Sequence, residues 1–223
     1  MRLTKLEHSC VLLEKGPNRL YVDPGKFTTP ITETSHVDAV IITHEHDDHW
    51  TPEQLSRIAS RSPGVKVLTT EATAAQLKVA DIRDLGEVIV GKPGERVQLG
   101  EFTVTCFGGT HAEIHSSIPL IDNIGVVVDG DFAYGGDSYE LPPGGFTIGA
   151  LAVPTYGPWM RIAESIDYIL EVRPRAVVGV HEMLLARAGK DLAASRLREA
   201  VESYGGKFLD LKPFDVLELD DLN

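Results

Sequence analysis

Residues 43–50, THEHDDHW, hold three imidazoles and three carboxylates in eight positions. His44 and His46 are two residues apart, so on extended backbone their rings leave the same face. Asp48 and His49 follow where the chain turns. Imidazole and carboxylate are the ligand types of zinc and of neighbouring divalent ions. A lone histidine in such a loop would read as solvated surface. The spacing His-x-His-x-Asp-His instead reads as a metal site.

Three further candidate ligands stand just after apolar, strand-like runs: His111 ends FTVTCFGGTH, Asp137 ends DFAYGGD and His181 ends RAVVGVH. The first two follow paired glycines, which let backbone approach closely. Ligands on several strand ends of one rim are what a preorganised site needs. His115, four residues beyond His111, competes with it. His111 is preferred because it lies nearer the strand and behind Gly108-Gly109. Two uses stay open for His115: contact with substrate or protonation of a leaving group, and an exposed loop histidine with no chemical task.

The elements that must position these residues can be read from patterning. RLTKLE, CVLLEK and RLYVD alternate as strands, and VDAVIIT (37–43) is a continuous apolar run suited to a strand buried on both faces. Thr51-Pro52-Glu53-Gln54 reads as an N-cap, a proline in the first turn and a capping-box glutamine. VKVLT predicts a strand and EATAAQLKVA a helix. A β-rich middle follows: GEVIVG, ERVQL, FTVTCF, IGVVVDG and DFAYGG. IGALAVP and RAVVGV predict buried strands on either side of a helix with a stripe at Ile162, Ile166, Ile169 and Leu170. DLAASRLREAVESYGG predicts a last helix, and KFLDLKPFDVLEL a final extended pair. With no repeat or linker, this order implies two sheets covered by helices in one domain over 1–223.

Composition narrows the function. The chain has 223 residues, 43% of them hydrophobic and 24% charged, with a formal charge of -12. No apolar run approaches the ~20 residues that span a bilayer, and no signal-peptide block opens the sequence, so a cytoplasmic protein without a membrane partner is expected. The acidic balance, with no basic cluster, argues against nucleic acid as a partner. Cys10 and Cys106 read as buried free thiols.

The set His44, His46, Asp48, His49, with His111, Asp137 and His181, resembles that of the metallo-β-lactamase superfamily, and the early VDPG fits as well. Within it, the short length and the HS of the first hairpin are most similar to small metal-dependent hydrolases related to ascorbate-6-phosphate lactonase. The resemblance implies an α/β (α+β) fold, an αββα sandwich with the metals at one edge. It implies two divalent ions, zinc first, with manganese, iron and nickel also compatible. One ion would take His44, His46 and His111, the other Asp48, His49 and His181, and Asp137 would bridge them. Ions ~3.5–4 Å apart can share a hydroxide formed near pH ~7. Asp48 would both ligate and orient that nucleophile. A redox variant of the fold carries Glu at the place of His46, so His46 speaks for hydrolysis.

The expectation is therefore a binuclear hydrolase acting on an ester, lactone or phosphoester of a small metabolite, an anion included; homo-oligomers are compatible. A nuclease or phosphodiesterase on the same fold and a non-enzymatic metal-binding sensor are the alternatives. Asp23 would hydrogen-bond a ligand histidine, and His8, with Glu7 replacing the family's Gly, would line the site or serve structure. Trp50 is expected to pack beneath the motif. Phe27, Tyr156 and Trp159 would either reach the rim or pack as turn residues.

Overall fold

The computed structural model describes residues 1–222. The chain runs through β1 (Arg2–Lys5), β2 (Val11–Lys15), β3 (Asn18–Val22), β4 (Val37–Ile41), α1 (Pro52–Arg61), β5 (Val65–Thr69), α2 (Glu71–Ala80) and β6 (Leu85–Val90). It continues with β7 (Arg96–Leu99), β8 (Phe102–Phe107), β9 (Gly125–Val128), β10 (Phe132–Tyr134), β11 (Ala150–Pro154) and α3 (Ile162–Val172). Then come β12 (Ala176–Val180), α4 (Arg187–Glu202), β13 (Lys207–Leu209), β14 (Val216–Glu218) and a 3-10 turn at Leu219–Leu222.

Two seven-stranded mixed sheets form, in the orders β14-β1-β2-β3-β4-β5-β6 and β13-β12-β11-β10-β9-β8-β7. Strand alternation divides the apolar residues among three layers. Leu20, Val22, Ala39 and Ile41 face Val104, Val126, Phe132, Ala150 and Ala152 between the sheets. Tyr21, Val40 and Ile42 point the other way, onto Leu55, Ile58 and Ala59 of α1 and Leu77 of α2. Leu151, Val153 and Val177 meet Tyr168 and Ile169 of α3 and Leu197 and Val201 of α4. Each buried aliphatic side chain contributes roughly 1.5–3 kcal/mol by leaving water. The result is the expected αββα sandwich.

Local departures have local causes. Thr51 caps α1, accepting the Gln54 N–H at 3.3 Å. The Gln54 side chain does not return to the cap: its amide donates to the Thr28 carbonyl at 2.9 Å and accepts from the Ile31 N–H at 3.1 Å. It thereby ties the loop after β3 to α1. Leu170 is 40% exposed, and Tyr168 takes the buried place on α3. Helix α4 begins at Arg187, about one turn before Asp191, where the patterning predicts its start. The two tail strands do not pair with each other. β13 lies parallel to β12, while β14 lies antiparallel to β1 in the other sheet. Each completes an edge left open by a different sheet.

Candidate metal centre

Four strand ends converge. Beyond β4, Ile42 still bonds to the Leu68 carbonyl at 2.9 Å. The chain then turns back, with the N–H groups of His49 and Trp50 both reaching the His46 carbonyl, at 3.1 and 3.3 Å, and α1 starts at Pro52. The loop after β3 lies directly against this turn, where Lys26 N–H donates to the Asp47 carbonyl at 2.9 Å. A Cβ at Gly25 would run into the Asp48 carbonyl, so the glycine is needed for that approach. From the other sheet, His111 follows β8, Asp137 follows β10 and His181 follows β12. Asn123 fixes the Asp137 turn: its side chain accepts the Asp137 N–H at 3.1 Å and donates to the Gly135 carbonyl at 2.8 Å.

The side chains meet in two adjoining groups, His44–His46–His111–Asp137 and His8–Asp48–His49–His181, and in each the offered atoms lie within 4.8 Å of one another. Asp137 stands between them. Its Oδ2 is 3.2 Å from His181 Nε2, 3.5 Å from His111 Nε2 and 3.8 Å from His44 Nε2. Its Oδ1 is 3.4 Å from His49 Nε2. Asp48 Oδ2 lies 3.5 Å from His181 Nε2 and 3.1 Å from His8 Nε2.

Outer partners fix which nitrogen of each ring faces inward. His49 Nδ1 is 2.7 Å from Asp23 Oδ2, and a carboxylate there demands a proton on Nδ1. Thr43 Oγ1 donates to the same Asp23 oxygen at 2.7 Å and accepts from His44 Nδ1 at 3.0 Å. His111 Nδ1 donates to the Ala112 carbonyl at 2.6 Å. In the neutral form of all three rings it is the Nε2 lone pair that is left to point into the cluster, the arrangement of a histidine that ligates a metal.

The residues present fit a pair of cations. Among the described residues, His49 Nε2, His111 Nε2, His181 Nε2 and Asp137 Oδ1 are buried without a hydrogen-bond partner. Each orphaned polar atom costs about 1–3 kcal/mol, and here they face one another. Charge is just as concentrated. Burial pulls His49 towards neutrality, but the negative charges of Asp137 and Asp23 override it and hold it well above the imidazole range. His181, opposed by burial in the same way, is held at about 9 by Asp137 and Asp48. Burial would raise Asp137 and Asp48, yet the surrounding histidines leave both well below the carboxylate range. Burial is the main cause that lowers His44, His46 and His8. Bound cations would replace the protons that otherwise hold these opposed charges together.

All seven residues singled out in the sequence as ligands thus come together. His115 does not join them: it is exposed, with Nδ1 2.8 Å from Ser117 Oγ. Trp50 is 6% exposed and packs in the layer under α1. Trp159 does reach the cluster, its indole Nε1 donating to Asp137 Oδ2 at 3.0 Å. Phe27 stands edge-on to His8, ring centres 5.0 Å apart, while Tyr156 is exposed. Sequence reasoning passed over Asn123, whose one signal was a polar residue directly before the apolar run IGVVV.

Comparison with known proteins gives a consistent picture. A family model described as a β-lactamase superfamily domain matches residues 2–181. Protein Rv0786c of Mycobacterium tuberculosis is 34% identical over 211 residues, 89% of this chain and 92% of the relative. A UPF0173 metal-dependent hydrolase of Aeropyrum pernix is 38% identical over 77 residues, 33% of this chain and 31% of the relative. Among solved structures, Igni18, a metallo hydrolase from Ignicoccus hospitalis, superposes with a TM-score of 0.70 at 18% identity, covering 97% of both chains. CmlA, a diiron β-hydroxylase from Streptomyces venezuelae, gives 0.72 at 17% identity over 97% of this chain. This chain spans about half the length of CmlA (53%), and both structures share the fold alone. With two helix-covered sheets, a histidine- and aspartate-lined edge and a family match over most of its length, the chain belongs to the metallo-β-lactamase superfamily.

Proposed function

We propose that the protein is a metal-dependent hydrolase that uses two divalent cations to cleave an ester, lactone or phosphoester of a small metabolite, with residues 1–223 acting as one domain. One observation carries this reading. Buried, unpartnered nitrogen and oxygen atoms from four separate strand ends face a common centre. His44, His46 and His111 would hold one ion and Asp48, His49 and His181 the other, with Asp137 between them. When bound, such ions supply Lewis acidity and make water acidic enough to attack near neutral pH. Zinc suits the nitrogen-rich set first; manganese, iron or nickel are compatible.

The chain's own residues do the rest. Asp48, with 18% of its side chain exposed against 3% for Asp137, is the carboxylate placed to orient an attacking water. Trp159 holds Asp137 in place through its indole N–H. His115 lies outside the cluster with Nδ1 tied to Ser117, so it would serve a leaving group only where the substrate extends beyond the metal ligands. The loops next to the ligands expose Ile118, Leu120, Tyr156, Met183 and Leu184, which favours an ester or lactone with an apolar portion over a highly charged anion. A histidine at 46 speaks against dioxygen chemistry, and the name of the Aeropyrum pernix relative agrees with hydrolysis. Two buried free thiols, Cys10 and Cys106, accord with a cytoplasmic setting.

Metal analysis of zinc-reconstituted protein, together with hydrolysis of p-nitrophenyl acetate, simple lactones and bis(p-nitrophenyl) phosphate, tests the reading. Two ions per chain and chelator-sensitive turnover of an ester or lactone are expected. Turnover of the phosphodiester alone would favour a nuclease-like enzyme, and two ions with no turnover a sensor.

A further inference from the structure

His8 stands inside the second group, and its Nε2 could be read as one more ligand. The hydrogen bonds around the ring oppose that. His8 Nδ1 accepts the Met183 N–H at 3.4 Å, which requires a lone pair on Nδ1. A neutral ring then carries its proton on Nε2, 3.1 Å from Asp48 Oδ2. A nitrogen that donates to a carboxylate has no lone pair for a cation. Nor does the second ion need it, because Asp48, His49, His181 and Asp137 already make four.

The backbone adds an independent argument. His8 sits in a tight turn between β1 and β2, closed by Cys10 N–H to the Glu7 carbonyl at 3.1 Å and Leu6 N–H to the Cys10 carbonyl at 2.9 Å. Its φ is +58°, and that of His181 is +62°. Positive φ is uncommon for any residue but Gly, even though His adopts it more readily than most, and such conformations persist where neighbouring contacts over-determine them. The contacts are at hand: the His8 carbonyl accepts the His181 N–H at 3.1 Å, and the rings of these two residues lie against each other with centres 4.0 Å apart and planes tilted by 44°. The side chain is fully buried.

We propose that His8 is a positioning residue: its Nε2–H fixes the rotation of the Asp48 carboxylate, while its carbonyl and Nδ1 clip the 181–183 turn in register with it. This rests on the reading of Asp48 as ligand and water-orienting group. His8 touches no reacting atom on this account.

Two measurements test it. In zinc-loaded, 15N-histidine-labelled wild-type protein, two-bond 1H–15N correlations report each ring's tautomer, with His8 assigned by its loss in His8→Gln. An Nε2-protonated, metal-free His8 is expected; a metal-shifted Nε2 or a proton on Nδ1 overturns the proposal. Zinc affinity and kinetics are then compared for His8→Phe and His8→Gln. The Phe variant is expected to keep two zinc ions, to hold one about ten-fold more weakly, and to lose kcat with KM little changed. Gln, whose amide can donate from the position of Nε2, should restore most of both. Loss of one zinc ion in both variants would make His8 a ligand, and wild-type affinity in both would leave it no role at Asp48. If wild-type protein hydrolyses no probe, the hydrolase reading fails, while tautomer and affinity still judge His8.

Discussion

At the scale of single residues, the cluster separates groups that face inward from groups that aim them. Asp48→Ala removes an inward oxygen, and turnover is expected to fall to background while circular dichroism stays unchanged; near-normal activity would refute the mechanism. Asp23 never faces the centre, yet it holds His49 directly and Thr43 through two bonds. Asp23→Asn is therefore expected to weaken zinc binding by about 10–100-fold, as read by competition with a chromophoric chelator. The inward residues were legible in the sequence because four of them are neighbours and the other three each end an apolar run. Asn123 was not, and for Trp159 the sequence left rim and turn packing open. Trp159 finds Asp137 from 22 positions away, and no local spacing encodes a contact made only after β10 and β11 pair.

At the scale of elements, the loop from Asp23 to Thr34 and the turn 44–50 behave as one piece. Gly25 allows the contact and Gln54 locks the loop to α1. Gly25→Ala is expected to lower both melting temperature and zinc affinity, because the backbone of the Asp48 turn must move to admit the methyl group. Thr51→Ala should cost about 1 kcal/mol in denaturant unfolding, the usual worth of an N-cap. Strands and the start of α1 could be read beforehand, since alternation and capping are local signals. The partners of β13 and β14 could not. These strands are three residues each, and what decides their pairing is the free edge each meets, set by the rest of the fold. The reach of Gln54 escaped for a similar reason: its position matched a cap motif, but a loop carbonyl competed for the amide and won.

At the scale of the whole molecule, the site sits where two sheets meet, so its electrostatics bear on overall stability. In metal-free protein, His181 at about 9 and the raised His49 stabilise the fold fully below the ordinary imidazole value of 6.5. That contribution is lost as pH rises through about 9. The lowered His8, His44 and His46 act in the opposite sense, their contribution present above 6.5 and lost as pH falls. The melting temperature of chelated protein should therefore peak near neutrality and fall on both sides. Zinc displaces the protons of His49 and His181, so calorimetry of loaded protein should show a higher melting temperature without the alkaline decline. Zinc titration at pH 7 should also release protons into the buffer. Asp23 has a further consequence at this scale. One carboxylate grips His49, proposed for the second ion, and, through the Thr43 hydroxyl, His44, proposed for the first. Seating either ion stiffens the anchor that the other will need, so uptake should be steeper than for two independent sites, with the singly loaded species scarce at half saturation.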